Sequence, residues 1–454
     1  MKAKLMLSDG VSEPFEIKNG LRQGCVKAPN LFNLFFAAVI FEATRLLNDK
    51  GAGVGIRFKL DGKLYDTRRL LAKGISEQFI HDLCYADDCA LVEHTLKGLQ
   101  AMVSCFAAAA KKFGLEVSCK KTEVMRQATG ERKAQEYAQE EVIVQMEDKR
   151  LNVVDAFKYL GSTVSSDASL DKEMSTRLQN AGTVFGRLWS RVWAPGCITR
   201  RTKTAVYRAC VLSVLLYGCQ TWNIYRHQLR RLESFHHRCL RKLLGIKWQQ
   251  FFPSTEVLRR ALTPSIEAMI RKARLKWLGH VRRMPDHRLP KQILMSQLSE
   301  GRRKQCKPRQ RWKDLVRSDM KKFSIEEKSW WSKADQEHRA SWRKAIYEGA
   351  RKFEAQRTTE AEKKRMQRKQ REKEKGMERR KKASGAGKEE RKGEEKKKEK
   401  KDRAEAEPRD GGFGCRSCDR VFSSKSGFAR HKCQRRQVKC CPLKEKRECL
   451  SHER

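Results

Sequence analysis

Apolar and polar positions change their spacing several times along the chain, and the sharpest change falls between Phe79 and His94. There FIHDLCYADDCALVEH sets Ile80, Leu83 and Tyr85 on one side, and Cys89, Leu91 and Val92 on the other, of two adjacent carboxylates. The pattern predicts a buried β-hairpin with Asp87 and Asp88 at its tip. Upstream, Lys4–Leu7 and Phe15–Ile17 flank Asp9-Gly10 as a smaller hairpin. A helix begins near Ala28, with Leu31, Phe32, Leu34, Phe35 and Val39 forming a broad apolar face. Downstream, Leu96, Leu99, Met102, Val103, Phe106 and Phe113 recur at helical spacing, and Gly114 supplies the C-terminal cap. A strand-like LEVSCKKTEVM follows, then a polar insertion at about Arg126–Glu140 and strands near Glu141–Met146 and Phe157–Val164.

From Lys172 the period becomes helical. Met174, Leu178, Ala181, Phe185 and Leu188 make one stripe, Val206, Cys210, Leu212, Val214 and Leu216 a second, and Leu229, Leu232, Phe235, Leu240 and Leu243 a third. Thr263–Met284 continues the pattern, and basic and aromatic residues interleave at Trp277, Arg309, Arg311, Trp312 and Lys313, a composition suited to phosphate contact and base stacking. Residues 351–410 have almost no large apolar side chains, so they read as a solvated single helix or a disordered tether.

Charge sharpens this picture. With 101 Lys and Arg against 55 Asp and Glu, the net charge of +46 implies a polyanionic partner, RNA or DNA. Residues 351–454 hold 37 basic and 19 acidic side chains, or +18, which leaves +28 on residues 1–350. The excess therefore belongs to the folded body as well as to the tail. The 16 cysteines are scattered rather than spaced as a disulfide framework, which predicts reduced thiols and an intracellular protein. Leu31–Ala43 and Ala205–Gly218 fall short of a membrane span and read as buried helices, so no membrane partner is expected.

Two carboxylates between apolar strands repel each other and lose hydration, which calls for a divalent cation or a basic partner. Hard oxygen donors at a turn suit magnesium and phosphoryl transfer by two metal ions, so Asp87 and Asp88 are candidate metal ligands and catalytic residues. At the C-terminus, Cys415 and Cys418, then twelve residues and His431, have zinc-finger spacing, with Phe422 and Phe428 as core positions. The fourth zinc ligand is open between Cys433 and Cys440. Cys433 lies only two residues past His431, so it can ligate only if the helix ends there, because two residues turn a helix by roughly 200°.

The Tyr85-Ala86-Asp87-Asp88 hairpin resembles the palm signature of non-LTR (LINE-type) retrotransposon reverse transcriptases. Leu21-Arg22-Gln23-Gly24-Cys25, Gly114-Leu115 through Lys120-Lys121-Thr122, and Phe157-Lys158-Tyr159-Leu160-Gly161 follow the family's order. The resemblance implies that Gln23, Gly24 and Tyr85 lie at the template base and incoming deoxynucleotide triphosphate, although Lys27 stands where the family usually has an apolar residue. It implies a role for Lys121 beside the departing pyrophosphate, against the alternative of a solvent-facing lysine. It also implies a third metal-bridging aspartate on a strand before the Arg-Gln-Gly segment, which residues before Leu21 do not supply, since Asp9 sits beside Gly10 in a turn.

The fold expected is therefore α+β. A partial palm spans residues 1–165, a helical thumb-like region 166–290, a basic helical extension 291–350, a charged linker 351–410 and a small zinc finger 411–454. The function expected is a truncated RNA-directed DNA polymerase that binds RNA and DNA and is catalytically incomplete alone. The alternative is a non-catalytic nucleic-acid-binding zinc-finger protein derived from one. Basic clusters such as Arg379-Arg380-Lys381-Lys382 accord with a nuclear location.

Overall fold

The computed structural model describes residues 2–17, 24–47, 52–64, 70, 74–127, 141–300, 310–402, 413–414 and 421–422. Two compact units divide it, Met1–Lys364 and Arg365–Arg454. Gln23, Arg309, Cys415, Cys418, His431, Cys433 and Cys440 lie outside the described residues.

The first unit mixes helices with small sheets. At its start Met6–Leu7 pairs with Gly10–Val11, and Lys2–Ala3 pairs with Phe15–Glu16. The expected hairpin thus becomes two nested pairings, with Ser8 and Asp9 in the inner turn. Helix α1, Ala28–Leu47, lays Val39 against Ala109 and Ala110 of helix α2, Leu96–Lys112, and Phe36 edge-on to Phe106. Thr95 caps α2 by accepting the Gly98 amide at 3.0 Å, and Gly114 at φ +74° follows its last turn.

The reading of α1 as a buried helix is not what the structure shows. Leu34 and Phe41 are 70% and 72% exposed, because α2 covers only one side of a helix that is apolar on several. By length and composition α1 is, among the described residues, the one helix apolar enough to cross a membrane. Within it Glu42 bonds Arg45 and Lys112, an ion-pair cluster that suits packing against protein rather than lipid.

Strands β1, Val54–Phe58, and β2, Ser76–Ile80, pair antiparallel, and residues 296–298 add a third strand on the far edge of β1. The hairpin β3, Asp82–Tyr85, and β4, Asp88–Leu91, comes next. Of LEVSCKKTEVM only Glu123–Val124 is a strand, paired parallel with Asn152–Val153; Ser118–Lys121 instead form a turn that accepts the Lys121 and Thr122 amides on the Ser118 carbonyl. Strands β5, Ala156–Tyr159, and β6, Ser162–Ser165, close a tight hairpin on Leu160 and Gly161, both at positive φ.

The helical region holds the larger cores. Helix α3, Asp171–Arg187, and helix α4, Arg226–Leu243, bury the predicted stripes: Met174, Ala181, Leu232 and Leu240 are fully enclosed. Burying each such leucine contributes about 1.5–3 kcal/mol. The Ala205–Gly218 stretch is only partly buried and is irregular: Tyr207, Val211, Leu212 and Leu215 are enclosed while Cys210 and Tyr217 are exposed, and a π-helical turn at Tyr207–Leu212 brings the Tyr207 hydroxyl within 2.9 Å of His236 Nδ1.

A second core forms between helix α5, Ile266–Arg282, helix α6, Trp312–Lys322, and the first turns of helix α7, Arg339–Asp402. Trp342 is buried there and donates its indole hydrogen to the Leu275 carbonyl. Over Glu360–Met377 helix α7 carries charge on every face and is exposed throughout. In the second unit Phe413–Gly414 pairs antiparallel with Val421–Phe422.

Candidate functional site at the acidic hairpin

Hydrogen-bonded pairing puts Tyr85 directly opposite Asp88, leaving Ala86 and Asp87 as a two-residue turn. Positive φ at the first turn position alone matches a type II′ hairpin, and Ala86 takes φ +53° there without being a glycine. Sparsely populated backbone of this kind costs free energy and concentrates at functional sites.

Asp87 and Asp88 are therefore brought together at one tip, but the tip is exposed, not buried. Tyr85 is 67% exposed, and both carboxylates face solvent. The reason lies in the packing: the half-buried Leu91 at the hairpin base joins the Val103–Val124 core under α2, while the tip extends beyond that layer. Water solvates two exposed neighbouring carboxylates well, so burial does not by itself demand a cation here. Among the described residues no three His, Cys, Asp or Glu side chains gather in a metal-ligating group. What the tip offers is two hard oxygen donors, accessible to a hydrated cation that keeps several waters.

The hairpin is held from one side. The Tyr159 hydroxyl on β5 donates to the Leu83 carbonyl at 2.7 Å, tying the Phe157–Gly161 motif to the acidic hairpin. Burial pushes the Tyr159 phenol up, and the nearby Cys84, Cys89, Asp88 and Asp82 act in the same direction. Sequence reasoning did not assign Tyr159 this positioning role; its signal was an aromatic residue in a predicted strand that shares a fold with the acidic pair. On β3 and β4 Cys84 faces Cys89 with 2.7 Å between sulfurs. Their hydrogen bond, reinforced by burial and by the neighbouring charges, raises the Cys84 thiol well above its usual range.

The remaining predicted residues are spread out. Gly24 stands in the turn before α1 at φ +88°, with nothing within 4 Å of where a Cβ would sit, so conformation rather than crowding selects glycine. Lys121 occupies the turn at Ser118–Lys121 with its side chain exposed.

Of the basic and aromatic residues between Trp277 and Lys313, Trp277, Trp312 and Lys313 turn inward instead of presenting a binding face, whereas Arg311 is exposed. Trp312 donates to the Gln220 carbonyl at 2.8 Å, Lys313 bonds the Ser296 carbonyl at 2.7 Å, and Trp277 packs on the second core. Arg274 is buried against Asp319 at 2.5 Å, and Arg282 binds the Trp331 carbonyl and Asp335. Helices that must pack while carrying many basic residues satisfy those cations internally. An exposed aromatic among cations occurs elsewhere, at Trp189, 45% exposed, between Arg187 and Arg191 and beneath Lys242 Nζ at 5.6 Å from the ring centre. A tryptophan at the polar end of a helical stripe was the available signal for it.

Comparison with known proteins places this geometry. Residues 2–164 match the family model for reverse transcriptase (RNA-dependent DNA polymerase), a span that includes Gly24, Lys121, Tyr159 and the whole acidic hairpin. A transposon-derived protein of Caenorhabditis elegans is 22% identical over 245 residues, 53% of this chain and 85% of the relative. Together the family match and the transposon-derived relative support a retrotransposon reverse transcriptase as the family of residues 2–164.

Proposed function

We propose that this chain is a nucleic-acid-binding protein derived from an RNA-directed DNA polymerase of LINE type, and that alone it does not polymerise. The observation that carries the reading is the exposed Tyr85–Asp88 tip inside the family-matched span. Asp87 and Asp88 would hold magnesium, which when bound would stabilise charge on transferring phosphoryl oxygens. Tyr85, Gln23 and Gly24 would contact the template base and deoxynucleotide triphosphate, and Lys121 the pyrophosphate side. A palm of this kind needs a third carboxylate, and Asp87 and Asp88 supply only two. A palm with one carboxylate fewer would lose electrostatic stabilisation of the transition state by orders of magnitude.

Binding falls to the body of the chain. The +28 of residues 1–350 favours phosphate contact, and Trp189 offers a stacking face beside Arg187, Arg191 and Lys242. The division into palm (1–165), thumb-like region (166–290), basic extension (291–350), linker (351–410) and finger (411–454) belongs to the same proposal. So does zinc on Cys415, Cys418, His431 and either Cys433 or Cys440, and a nuclear location.

The test is a titration of single-stranded RNA and duplex DNA at increasing salt. Affinity falls steeply with salt, and deletion of residues 351–454 keeps most of the slope. Replacing Trp189 with alanine weakens single-strand binding by about 1–3 kcal/mol. A slope that vanishes with the tail removed refutes binding by the body.

A further inference from the structure

We propose that Cys84 and Cys89 form a reversible disulfide across the acidic hairpin, making its tip a site of thiol–disulfide exchange. The inference goes beyond the polymerase reading and does not depend on it. Its first support is the pairing: Cys84 lies directly opposite Cys89, one step inside the Tyr85–Asp88 closing pair. The second is the phase of the ladder. The Val92 amide donates to the His81 carbonyl, its opposite number, at 2.9 Å, which makes that pair a hydrogen-bonded one. Because hydrogen-bonded and non-hydrogen-bonded pairs alternate, Cys84 and Cys89, three steps along, form a non-hydrogen-bonded pair.

In such pairs the Cα atoms stand about 4.5 Å apart, with side chains closer than in the hydrogen-bonded kind. A disulfide spans Cα separations of about 4.4–6.8 Å, so the two backbones need not move to accept one. The sulfurs already touch at 2.7 Å. Cys84 is exposed and Cys89 half-buried, so a small disulfide reaches the pair from solvent. Tyr159, bonded to the Leu83 carbonyl next door, fixes strand β3 while the bond forms or breaks.

The chemistry balances with a glutathione-class disulfide, R–S–S–R, as oxidant. One cysteine thiolate attacks a sulfur of the oxidant, the R–S–S–R bond breaks, and one R–S⁻ leaves as a mixed disulfide forms. The second cysteine thiolate attacks the protein sulfur of that mixed disulfide and expels the second R–S⁻. The two cysteines are oxidised, the small disulfide is reduced, and the two thiol protons end on two R–SH. The new bond ties β3 to β4 just behind Ala86 and Asp87, and so stiffens the loop that carries both carboxylates.

The sequence makes the test direct. Trypsin releases residues 74–97 as one peptide whose cysteines are Cys84 and Cys89. The full-length protein is equilibrated in glutathione buffers of increasing oxidised fraction, blocked with iodoacetamide, digested and weighed. The expected result is a peptide that loses both alkyl groups together, weighs two hydrogens less than its dithiol form, and regains both alkylation sites after dithiothreitol. Amide exchange across Tyr85–Asp88 slows in the oxidised protein. In Cys84→Ser and Cys89→Ser the remaining cysteine carries either an alkyl group or a single glutathione. A wild-type peptide whose cysteines alkylate independently at every ratio, stop at glutathione adducts, or crosslink to other peptides overturns the proposal.

Discussion

Replacing Asp319 with alanine tests whether the arginines of helix α5 are structural ties or a surface for phosphate. Asp319 is fully buried on α6, where one carboxylate oxygen accepts from Arg271 and the other from Arg274 Nη1 at 2.5 Å. Burial pushes the Asp319 carboxyl pKa above the ordinary carboxylate value, and the two guanidiniums oppose that rise. Arg274 is only 1% exposed; it also donates to the Trp222 carbonyl at 3.1 Å, and its Nε has no partner among the described residues. Removing the carboxylate leaves that guanidinium buried without a counter-charge, whereas Arg271 keeps Glu267. Breaking a buried pair in this way costs about 3–5 kcal/mol. With a urea slope of about 2–3 kcal/mol/M, tryptophan fluorescence should show the midpoint falling by more than about 1 M. The double variant Asp319→Leu with Arg274→Met removes both charges and should recover most of the loss, as apolar replacement of a buried pair commonly does. Nucleic-acid affinity per folded molecule should not change. A midpoint shift below about 0.3 M, or a tighter complex in Asp319→Ala because freed arginines reach phosphate, refutes the reasoning.

Three further expectations follow from other sites. Burial, ahead of repulsion from His237, holds His236 down to about 4 from the ordinary 6.5. A base whose folded pKa is depressed binds fewer protons in the native state, so its contribution is complete above about pH 6.5 and is lost as pH falls toward 4, by about 3 kcal/mol in all. Urea midpoints at pH 7 and 4.5 should converge in His236→Gln, and an unchanged pH slope contradicts this. A Cβ on Gly279 would collide with the Trp342 indole at Nε1, so Gly279→Ala should cost about 1–3 kcal/mol by the same assay, and a neutral result would mean that α5 and α7 are not in contact. Residues 411–454 have few apolar side chains, so an excised peptide should be unstructured with chelator and gain helix with one equivalent of zinc. Cys415→Ala should abolish the gain, and comparing Cys433→Ala with Cys440→Ala identifies the fourth ligand; circular dichroism indifferent to zinc ends the finger hypothesis.

Legibility in the sequence followed locality. The hairpin at Asp87-Asp88, the span of α2 with its Gly114 cap and the stripes at Met174–Phe185 and Leu232–Leu243 are set by short-range period and turn chemistry, and the structure has them in place. Exposure is not a local property. The same apolar flanks serve a buried hairpin or one that projects beyond its supporting layer, and the period of α1 does not reveal that α2 covers only one side. Nor could composition tell an arginine facing solvent from one aimed at Asp319, because that depends on which helix packs opposite. The strand at residues 296–298 pairs with Val54–Phe58 across more than two hundred residues, a contact beyond any window of local pattern. The tie from Tyr159 to Leu83 is of the same kind: both residues were legible as strand positions, while their meeting was not.

The proposal that the chain binds nucleic acid as a reverse-transcriptase derivative but does not polymerise alone is tested most directly by primer extension. The purified full-length protein is given a DNA primer on an RNA template, magnesium and all four deoxynucleotide triphosphates, alongside Asp87→Ala and Asp88→Ala. The account predicts a salt-sensitive complex with the template–primer and no added nucleotide above the level of the two variants. Extension by the wild-type protein that either substitution abolishes would contradict it, as would a chain that fails to hold the template–primer at all.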